Sequence, residues 1–347
     1  MPPRGHDDPR ACLHAAAHAV SLRTQACLPS GSAPFPSFRI RHGLFLVPSG
    51  TGHAASVRHF PATMPNALLK YAYDAPLPAA ITLVEGNALR VKLESIEKRY
   101  TLVAVSDFPN VLEVTASQHN TRADSWAFTV TARSAGNAKL AVQVQRGAGA
   151  PALTITPALV SISVKRKTVL PDPDSDEGLL VRLFLVEVPA PQEWRAAGIG
   201  GPEEALEIMR MMRRVIVNRL QSGNTREFMA AGARDIRGIV TASDGGSVQF
   251  AGFDSYPNIA GAKQKMIESR MAIVNDATNA QWHARYAAFY EAALTAATEP
   301  LPADPSPTGL FGWRTEGRGA PSSEYRAFRS LGRNTFFTHQ RYRANGR

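Results

Sequence analysis

The sequence has little cysteine and no long apolar run. Its 347 residues include only two cysteines, Cys12 and Cys27, both near the N-terminus. Two cysteines outside a C-x-x-C spacing predict neither a zinc site nor a disulfide framework. No run approaches the roughly 18 apolar residues of a membrane-spanning helix. These absences exclude cysteine chemistry and a membrane span from the functional hypotheses.

Several enzyme motifs are also missing. There is no Walker loop, no dinucleotide fingerprint, no H-E-x-x-H and no G-x-S-x-G. Of the nine histidines, only His283 and His339 lie in the region that we expect to be helical, and they are 56 positions apart. They predict no metal site, and no cofactor is expected. The remaining candidates for chemistry are carboxylates.

The net charge is +10, which favours an anionic partner. Nucleic acid, an anionic envelope surface and a cell-wall polymer all fit this charge. The basic residues are dispersed except for a cluster near the C-terminus, and no aromatic residues interleave with them as in a nucleic-acid-binding surface. A nucleic-acid partner is therefore not expected.

Residues 1–63 are rich in Pro, Gly, Ser, His and Arg without sustained periodicity. We expect this segment to be disordered, with Met64 as an alternative start. The first twenty residues lack the uninterrupted apolar core of a secretory signal. If the protein acts outside the cytoplasm, we expect secretion or delivery to the periplasm by a non-classical route.

Residues 78–167 alternate between apolar and polar positions and contain turn signals, a pattern typical of antiparallel strands. About seven short strands in this length predict a β-sandwich. The stretches Ile81-Thr82-Leu83, Val111-Leu112-Glu113-Val114 and Phe128-Thr129-Val130-Thr131 resemble bacterial immunoglobulin-like modules. Such modules space or dock other domains, and no site is assigned here.

A linker over 168–177 is predicted to lead into a mainly α-helical domain, 178–340. Apolar residues at spacings of three and four predict a long helix over 202–220, after a loop at 189–201. Capping patterns and apolar content predict the other helices, at 224–241, 257–275 and 279–297. The β-branched and aromatic content of 179–188 would allow a buried strand, but Asp176-Glu177 before it and Pro189 after it favour a helix.

Four features of this domain occur in a recognisable order. An apolar segment ends in Glu187, and a helix ends in Val215-Ile216-Val217-Asn218-Arg219. Gln249-Phe250 and a late Gly332-Arg333-Asn334-Thr335-Phe336-Phe337 follow. Together they resemble the cell-wall hydrolases related to spore-cortex-lytic enzymes. The resemblance implies a lysozyme-like fold and cleavage of the glycan strands of peptidoglycan.

Glu187 is the candidate catalytic acid. A general acid for glycoside cleavage must hold a proton near neutral pH, and apolar neighbours and the negative end of a helix both disfavour an ionised carboxylate. The 31 positions between Glu187 and Asn218 exceed what the family leads us to expect. Glu204 and Glu207 therefore remain alternative acids, although Glu203 and Glu204 lie where a helix dipole keeps a carboxylate ionised.

A glycosidase with two carboxylates needs a partner for the acid, and Asp244 and Glu316 are candidates. The resemblance also implies an alternative with one acid, in which the 6-hydroxyl of the sugar attacks, as in lytic transglycosylases. We expect Gln249 to bind substrate by hydrogen bonding, and Tyr256 and Trp313 by stacking on sugar rings.

The favoured hypothesis is a muramidase or lytic transglycosylase that acts on peptidoglycan. Its export without a signal peptide suggests an antibacterial effector, with a secretion-apparatus protein and an immunity protein as further partners, or a phage-type lysin. The alternative is a non-catalytic docking or structural protein of a secretion or phage-like apparatus with a degenerate lysozyme-like domain.

Overall fold

The computed structural model describes residues 66–94, 96, 98–147, 153–244 and 247–343. The predicted disorder of residues 1–63 lies outside this range. Strands account for 31% of the described residues and helices for 28%. Strands dominate up to Lys165, and helices together with further strands follow.

Ten strands form the first part of the described chain. They are β1 (Asn66–Tyr71), β2 (Ala80–Val84), β3 (Ala88–Leu93), β4 (Tyr100–Ser106), β5 (Leu112–Val114), β6 (Gln118–Asn120), β7 (Ser125–Ala132), β8 (Gly136–Arg146), β9 (Thr154–Thr156) and β10 (Leu159–Lys165). One sheet has the order β5-β7-β3-β1-β9, with β6 also paired to β7, and the other has the order β2-β10-β8-β4. Side chains of both sheets share one hydrophobic core. The sheets therefore pack face to face.

The alternation in the sequence explains these strands. In β3, Leu89, Val91 and Leu93 are buried, whereas Ala88 and Arg90, which alternate with them, are exposed. Successive side chains of a strand point to opposite faces, so the apolar set faces the opposite sheet. Strand β1 lies before the expected start of the sandwich at residue 78, yet it pairs with β3 and β9.

Six α-helices lie between the two strand-rich parts of the described chain. They are α1 (Asp176–Glu187), α2 (Trp194–Ala197), α3 (Pro202–Gln221), α4 (Ile236–Val240), α5 (Gly261–Val274) and α6 (His283–Thr298). A 3₁₀ turn over Thr225–Phe228 follows α3, and the short strands β11 (Ser243–Asp244) and β12 (Ser247–Val248) pair after α4. Within the described residues, no helix combines the length and the apolar composition needed to cross a membrane.

Helix α1 is the central element of this part. The Ser175 hydroxyl caps it by accepting a hydrogen bond from the Gly178 amide at 2.9 Å. Most of its apolar residues are fully buried; α5 and α6 pack against it, and α3 packs against α6. The helix ends at Glu187, because Val188 is extended and Pro189 cannot continue it. Glu187 therefore leaves the core at the last helical position.

The single helix predicted over 224–241 is wrong. The chain forms the 3₁₀ turn and the short α4 instead, joined by a loop in which Met229 and Gly232 have positive φ angles of 54° and 80°. Residues in that region of φ interrupt a right-handed helix. The loop predicted at 189–201 likewise contains the short helix α2.

The last strands form a three-stranded antiparallel sheet of order β13-β15-β14, which contacts α3 through β13. Its members are β13 (Leu310–Thr315), β14 (Tyr325–Leu331) and β15 (Asn334–His339). Gly332 and Arg333, with φ of 56° and 60°, join β14 to β15 in the type of tight turn that hairpins favour. The prediction of a mainly α-helical, lysozyme-like second domain is therefore wrong: this part is a mixture of helices and sheet.

Two asparagines join the sandwich to the helical part. Asn87, in the turn between β2 and β3, donates to the Asn275 carbonyl at 2.7 Å and accepts from the Ala277 amide at 3.0 Å. Asn275 caps the end of α5 and also pairs with the backbone of Thr168 at 2.8 and 2.9 Å. The two parts are thus connected by directed hydrogen bonds as well as by the linker.

Candidate active site

A cleft of about 1120 Å³ opens between the C-terminal end of α1, the loops around β12 and the sheet β13-β15-β14. It is larger than two cavities on the sandwich, of about 430 and 600 Å³, and of the size at which pockets hold ligands of several rings. The polar or aromatic side chains lining it include Glu187, Arg219, Glu227, Gln249, Phe250, Lys263, Trp313, Arg314, Arg318, Glu324, Tyr325 and Asn334.

Glu187 lies in this cleft, where α1 delivers it from the core. Its Oε1 accepts a hydrogen bond from the Lys263 Nζ of α5 at 2.8 Å, and both side chains are about one-quarter exposed (25% and 24%). The ammonium also lies 5.8 Å from the centre of the Phe253 ring. An ammonium in this position stabilises the ionised carboxylate. A general-acid role therefore requires a bound substrate to separate the pair.

Gln249 lines the cleft, but its amide is already bound at both ends. Its Oε1 accepts from the Arg219 guanidinium, and its Nε2 donates to the Phe228 carbonyl. Arg219 also donates through Nε to the Phe311 carbonyl at 2.8 Å. Gln249 thus holds Arg219 and the 3₁₀ turn in place, and its amide keeps one N–H and one acceptor lone pair for a substrate.

Trp313 stacks against Phe250 on one wall of the cleft, with ring centroids 5.0 Å apart and planes 27° from parallel. Phe250 is buried, whereas Trp313 is half-buried and so presents part of its ring to the cleft. Aromatic faces suit the apolar faces of sugar rings. The expected stacking role of Trp313 is compatible with this position.

Three other predicted residues do not line the cleft. Tyr256 is buried, with its ring against Phe253 and the Arg237 guanidinium. Glu204 accepts from the Gly200 amide at 2.6 Å near the start of α3, and Glu207 forms an ion pair with an arginine of β14. The structure therefore brings neither alternative acid together with Glu187.

The cleft contains two carboxylates that the sequence did not indicate, Glu227 and Glu324. Glu227 was interpreted as a helix-capping residue, and Glu324 carried no motif. The sequence candidates Asp244 and Glu316 do not line the cleft. The part of the chain that the structure describes thus contributes three carboxylates to the cleft, from the end of α1, from the 3₁₀ turn and from the residue before β14.

Arg341 binds both of these carboxylates, with 2.8 Å between its guanidinium and Glu227 Oε1. The buried His339 lies beside them, with Nε2 3.5 Å from Glu324 Oε2. Side-chain atoms of Glu227, Glu324 and His339 lie within 4.8 Å of one another, a grouping able to hold a metal ion. However, the Arg341 amide donates to His339 Nδ1 at 3.2 Å, so a neutral ring carries its proton on Nε2. That proton and the guanidinium occupy the positions a metal needs.

Burial sets the electrostatics of the cleft floor. It lowers the pKa of Arg219 and raises the pKa of Tyr325, with the positive charge of Arg219 partly opposing the shift of the phenol. Burial also lowers the pKa of His339, although Glu324 and Glu227 act in the opposite direction. The floor of the cleft is therefore poorly solvated.

Asn218 anchors the wall that carries Trp313. Its Nδ2 donates to Asp304 Oδ2 at 2.7 Å and to the Leu310 carbonyl at 2.8 Å. Asp304 in turn accepts from the Leu310 amide at 3.0 Å and from Ser306. The end of α3 thereby fixes the loop that leads into β13.

Comparisons with known proteins assign no family. No family model matches this sequence, and no curated protein matches it. Domains 1–6 of the surface layer protein SbsC superpose on 32% of this chain and 14% of that chain, with 10% identity and a TM-score of 0.23. The Yersinia pseudotuberculosis adhesin InvE covers 30% of this chain, with 27% of its own length, 19% identity and a TM-score of 0.21. The ZirS C-terminal domain covers 40%, with 99% of its own length, 10% identity and a TM-score of 0.20.

Proposed function

We propose that this protein cleaves the glycan strands of peptidoglycan and that Glu187 donates the proton to the leaving oxygen. The observation that supports this most is the joint position of Glu187 and Trp313. Remote parts of the sequence, the end of α1 and the strand β13, bring a carboxyl group and an aromatic face into one cleft. Acid groups beside aromatic platforms suit cleavage of a bound sugar chain.

The proposed reaction begins when a sugar chain enters the cleft and separates Glu187 from Lys263. Expulsion of water then penalises the charged carboxylate and favours the protonated form. Glu187 gives its proton to the glycosidic oxygen as the bond to the anomeric carbon breaks. Either water, activated by a carboxylate such as Glu227 or Glu324, or the 6-hydroxyl of the sugar itself attacks that carbon. The attacking water loses its proton to that carboxylate, whereas the 6-hydroxyl loses its proton to Glu187, which is ionised once it has protonated the leaving oxygen.

The test is the release of soluble fragments from purified sacculi, followed by mass spectrometry. Hydrolysis gives a reducing end, whereas attack by the 6-hydroxyl gives an anhydro sugar that is lighter by one water. We expect Glu187→Gln to abolish release, because the amide has no proton of suitable acidity to donate. A general acid contributes roughly 10²–10⁴-fold in rate.

Glu268→Gln is the matched control, because Glu268 lies exposed on α5 and, among the described residues, its carboxylate bonds only to Gln264, at 2.8 Å. Glu204→Gln and Glu207→Gln test the alternative acids, and we expect both to retain activity. Full activity of Glu187→Gln would refute the assignment. Binding of the wild-type protein to sacculi without any release of fragments would instead support the docking alternative.

Since peptidoglycan lies outside the cytoplasm, the proposed activity requires the protein to reach the periplasm or the cell surface. We propose delivery by a non-classical route, as for an antibacterial effector. Co-purification with an immunity protein that blocks the cleft would support this part of the proposal.

A further inference from the structure

Arg219 is a buried cation whose hydrogen-bond partners are neutral. Only 9% of the residue is exposed, and its guanidinium bonds to the Phe311 carbonyl and the Gln249 amide oxygen. Within the described chain, no carboxylate forms an ion pair with it. A buried charge is costly to keep without a counter-charge. An anion that enters the cleft can supply one.

Arg219 lines the cleft, and Gly312 lies beside its guanidinium. A Cβ atom added to Gly312 would lie 3.7 Å from Arg219 Nη2 and 3.1 Å from the ring of Tyr325. Gly312 belongs to β13, and Arg314 lies two positions further along the same strand. Because side chains two apart in a strand share a face, Arg314 leaves the sheet on the side of Arg219.

Arg314 and Arg318 are two further cations of this cleft, and both are exposed. No hydrogen bond or ion pair of either guanidinium is found among the described residues. An arginine without a partner, at the edge of a cleft, is free to bind a ligand group. The planar guanidinium donates two parallel hydrogen bonds to a carboxylate.

The acids of the cleft do not satisfy these three arginines. Glu187 pairs with Lys263, and Glu227 and Glu324 both pair with Arg341. Arg341 neutralises only one of its two carboxylates, so one negative charge remains against the three positive charges of the arginines. The unpaired charge of the cleft is therefore predominantly positive. An uncharged glycan would leave it unpaired, whereas a glycan bearing carboxylates would neutralise it.

We propose that Arg219, Arg314 and Arg318 form a subsite for carboxylate groups carried by the glycan strand. This inference rests on the proposed function, because it names the part of the peptidoglycan substrate that the cleft selects. The carboxylates belong either to the stem peptides or to the lactyl groups of bare muramic acid. Both present the same planar anion.

The experiment measures binding of soluble glycan strands to the full chain carrying Glu187→Gln, which prevents turnover. Strands are used with their peptides, after removal of the peptides by an amidase, and after amidation of all carboxylates. The test variant is Arg314→Gln/Arg318→Gln. The control is Arg122→Gln/Arg195→Gln, which removes the same charge from two exposed arginines outside the cleft.

We expect the test variant to bind carboxylate-bearing strands about tenfold more weakly, the effect of losing one charge-assisted hydrogen bond. Amidation of the strands should weaken binding to the parent by a similar factor and leave the test variant unchanged. The control should bind like the parent. Loss of tight binding on removal of the peptides assigns the subsite to peptide carboxylates, and its retention assigns the subsite to lactyl carboxylates.

Equal binding of native and amidated strands by the parent would overturn the subsite, as would an equal loss in the control. Arg219→Lys adds a second measurement, because it keeps the positive charge but loses the planar guanidinium. We expect this variant to bind native strands more weakly and amidated strands as the parent does. Circular dichroism and thermal unfolding establish that this variant folds.

The subsite alone is refuted if the wild type releases fragments but Arg314→Gln/Arg318→Gln binds strands as tightly as the parent. Charge-dependent binding without release refutes the proposed cleavage alone.

Discussion

Replacing Asn218 by alanine should strongly destabilise the part of the protein that holds the cleft. Asn218 is buried, with 2% of the residue exposed, and its amide group donates to a carboxylate and to a backbone carbonyl. The variant removes both donors from the loop that leads into β13. Alanine also leaves space where the amide was.

The magnitude follows from the two bonds. A hydrogen bond to a charged group contributes about 1.5–3 kcal/mol and a neutral one about 0.5–1.5 kcal/mol. Their loss predicts a decrease of roughly 2–4 kcal/mol in the free energy of unfolding. Asn224→Ala is the matched control: Asn224 is exposed and donates to the Tyr342 hydroxyl at 2.9 Å. Its loss should cost no more than about 0.5 kcal/mol.

Urea unfolding followed by tryptophan fluorescence measures this difference. Three of the four tryptophans, Trp194, Trp282 and Trp313, lie in the part that contains the cleft. A Trp126→Phe background removes the signal of the sandwich. A loss below about 1 kcal/mol, or one equal to that of the control, would refute the view that Asn218 anchors the loop.

Two further predictions concern stability. Gly178→Ala should lower the free energy of unfolding by roughly 2–4 kcal/mol in thermal unfolding, because the new Cβ would lie 1.8 Å from the Asp172 carbonyl oxygen. Gly261→Ala is the control: it has open space around it and should be neutral or slightly stabilising. Equal effects of the two changes would contradict this prediction. Burial lowers the pKa of His339 below its ordinary value of 6.5, so below pH 6.5 the unfolded chain binds more protons than the folded one. Stability should therefore fall as the pH drops through that value and level off below the folded pKa. His339→Gln should remove this part of the pH dependence in unfolding measured from pH 5 to 8, and an unchanged profile would argue against it.

Local patterns predicted much of the fold. The period-two stretches place most strands of the sandwich, since alternating burial needs only near neighbours along the chain. The stripe from Leu206 to Leu220 likewise places α3, and the capping Ser175 and Pro189 bracket α1. The helix predicted over 224–241 failed because Met229 adopts a left-handed conformation that only the folded context supports.

Long-range pairing explains the other errors. Strands β13 and β15 are separated by 18 positions and by β14 along the chain, so their apolar residues have no short-range signature of a sheet. The ion pair of Glu187 joins residues 76 positions apart. Glu227 and Glu324, 97 positions apart, meet in the cleft through the same folding. The candidate acid was available from local sequence, but its counter-ion and the other carboxylates were not.

Helix α5 connects the contact at Asn87 to the cleft. Lys263, near the start of this helix, bonds to Glu187, and Asn275, at its end, bonds to the sandwich. Twelve residues of helix make a rod of about 18 Å between them. A force applied to the sandwich at Asn87 therefore acts on α5, the same helix that carries Lys263, the counter-ion of Glu187. The sandwich is therefore connected to the Lys263–Glu187 pair through a single helix, and a displacement of Asn87 along the axis of α5 is transmitted to Lys263.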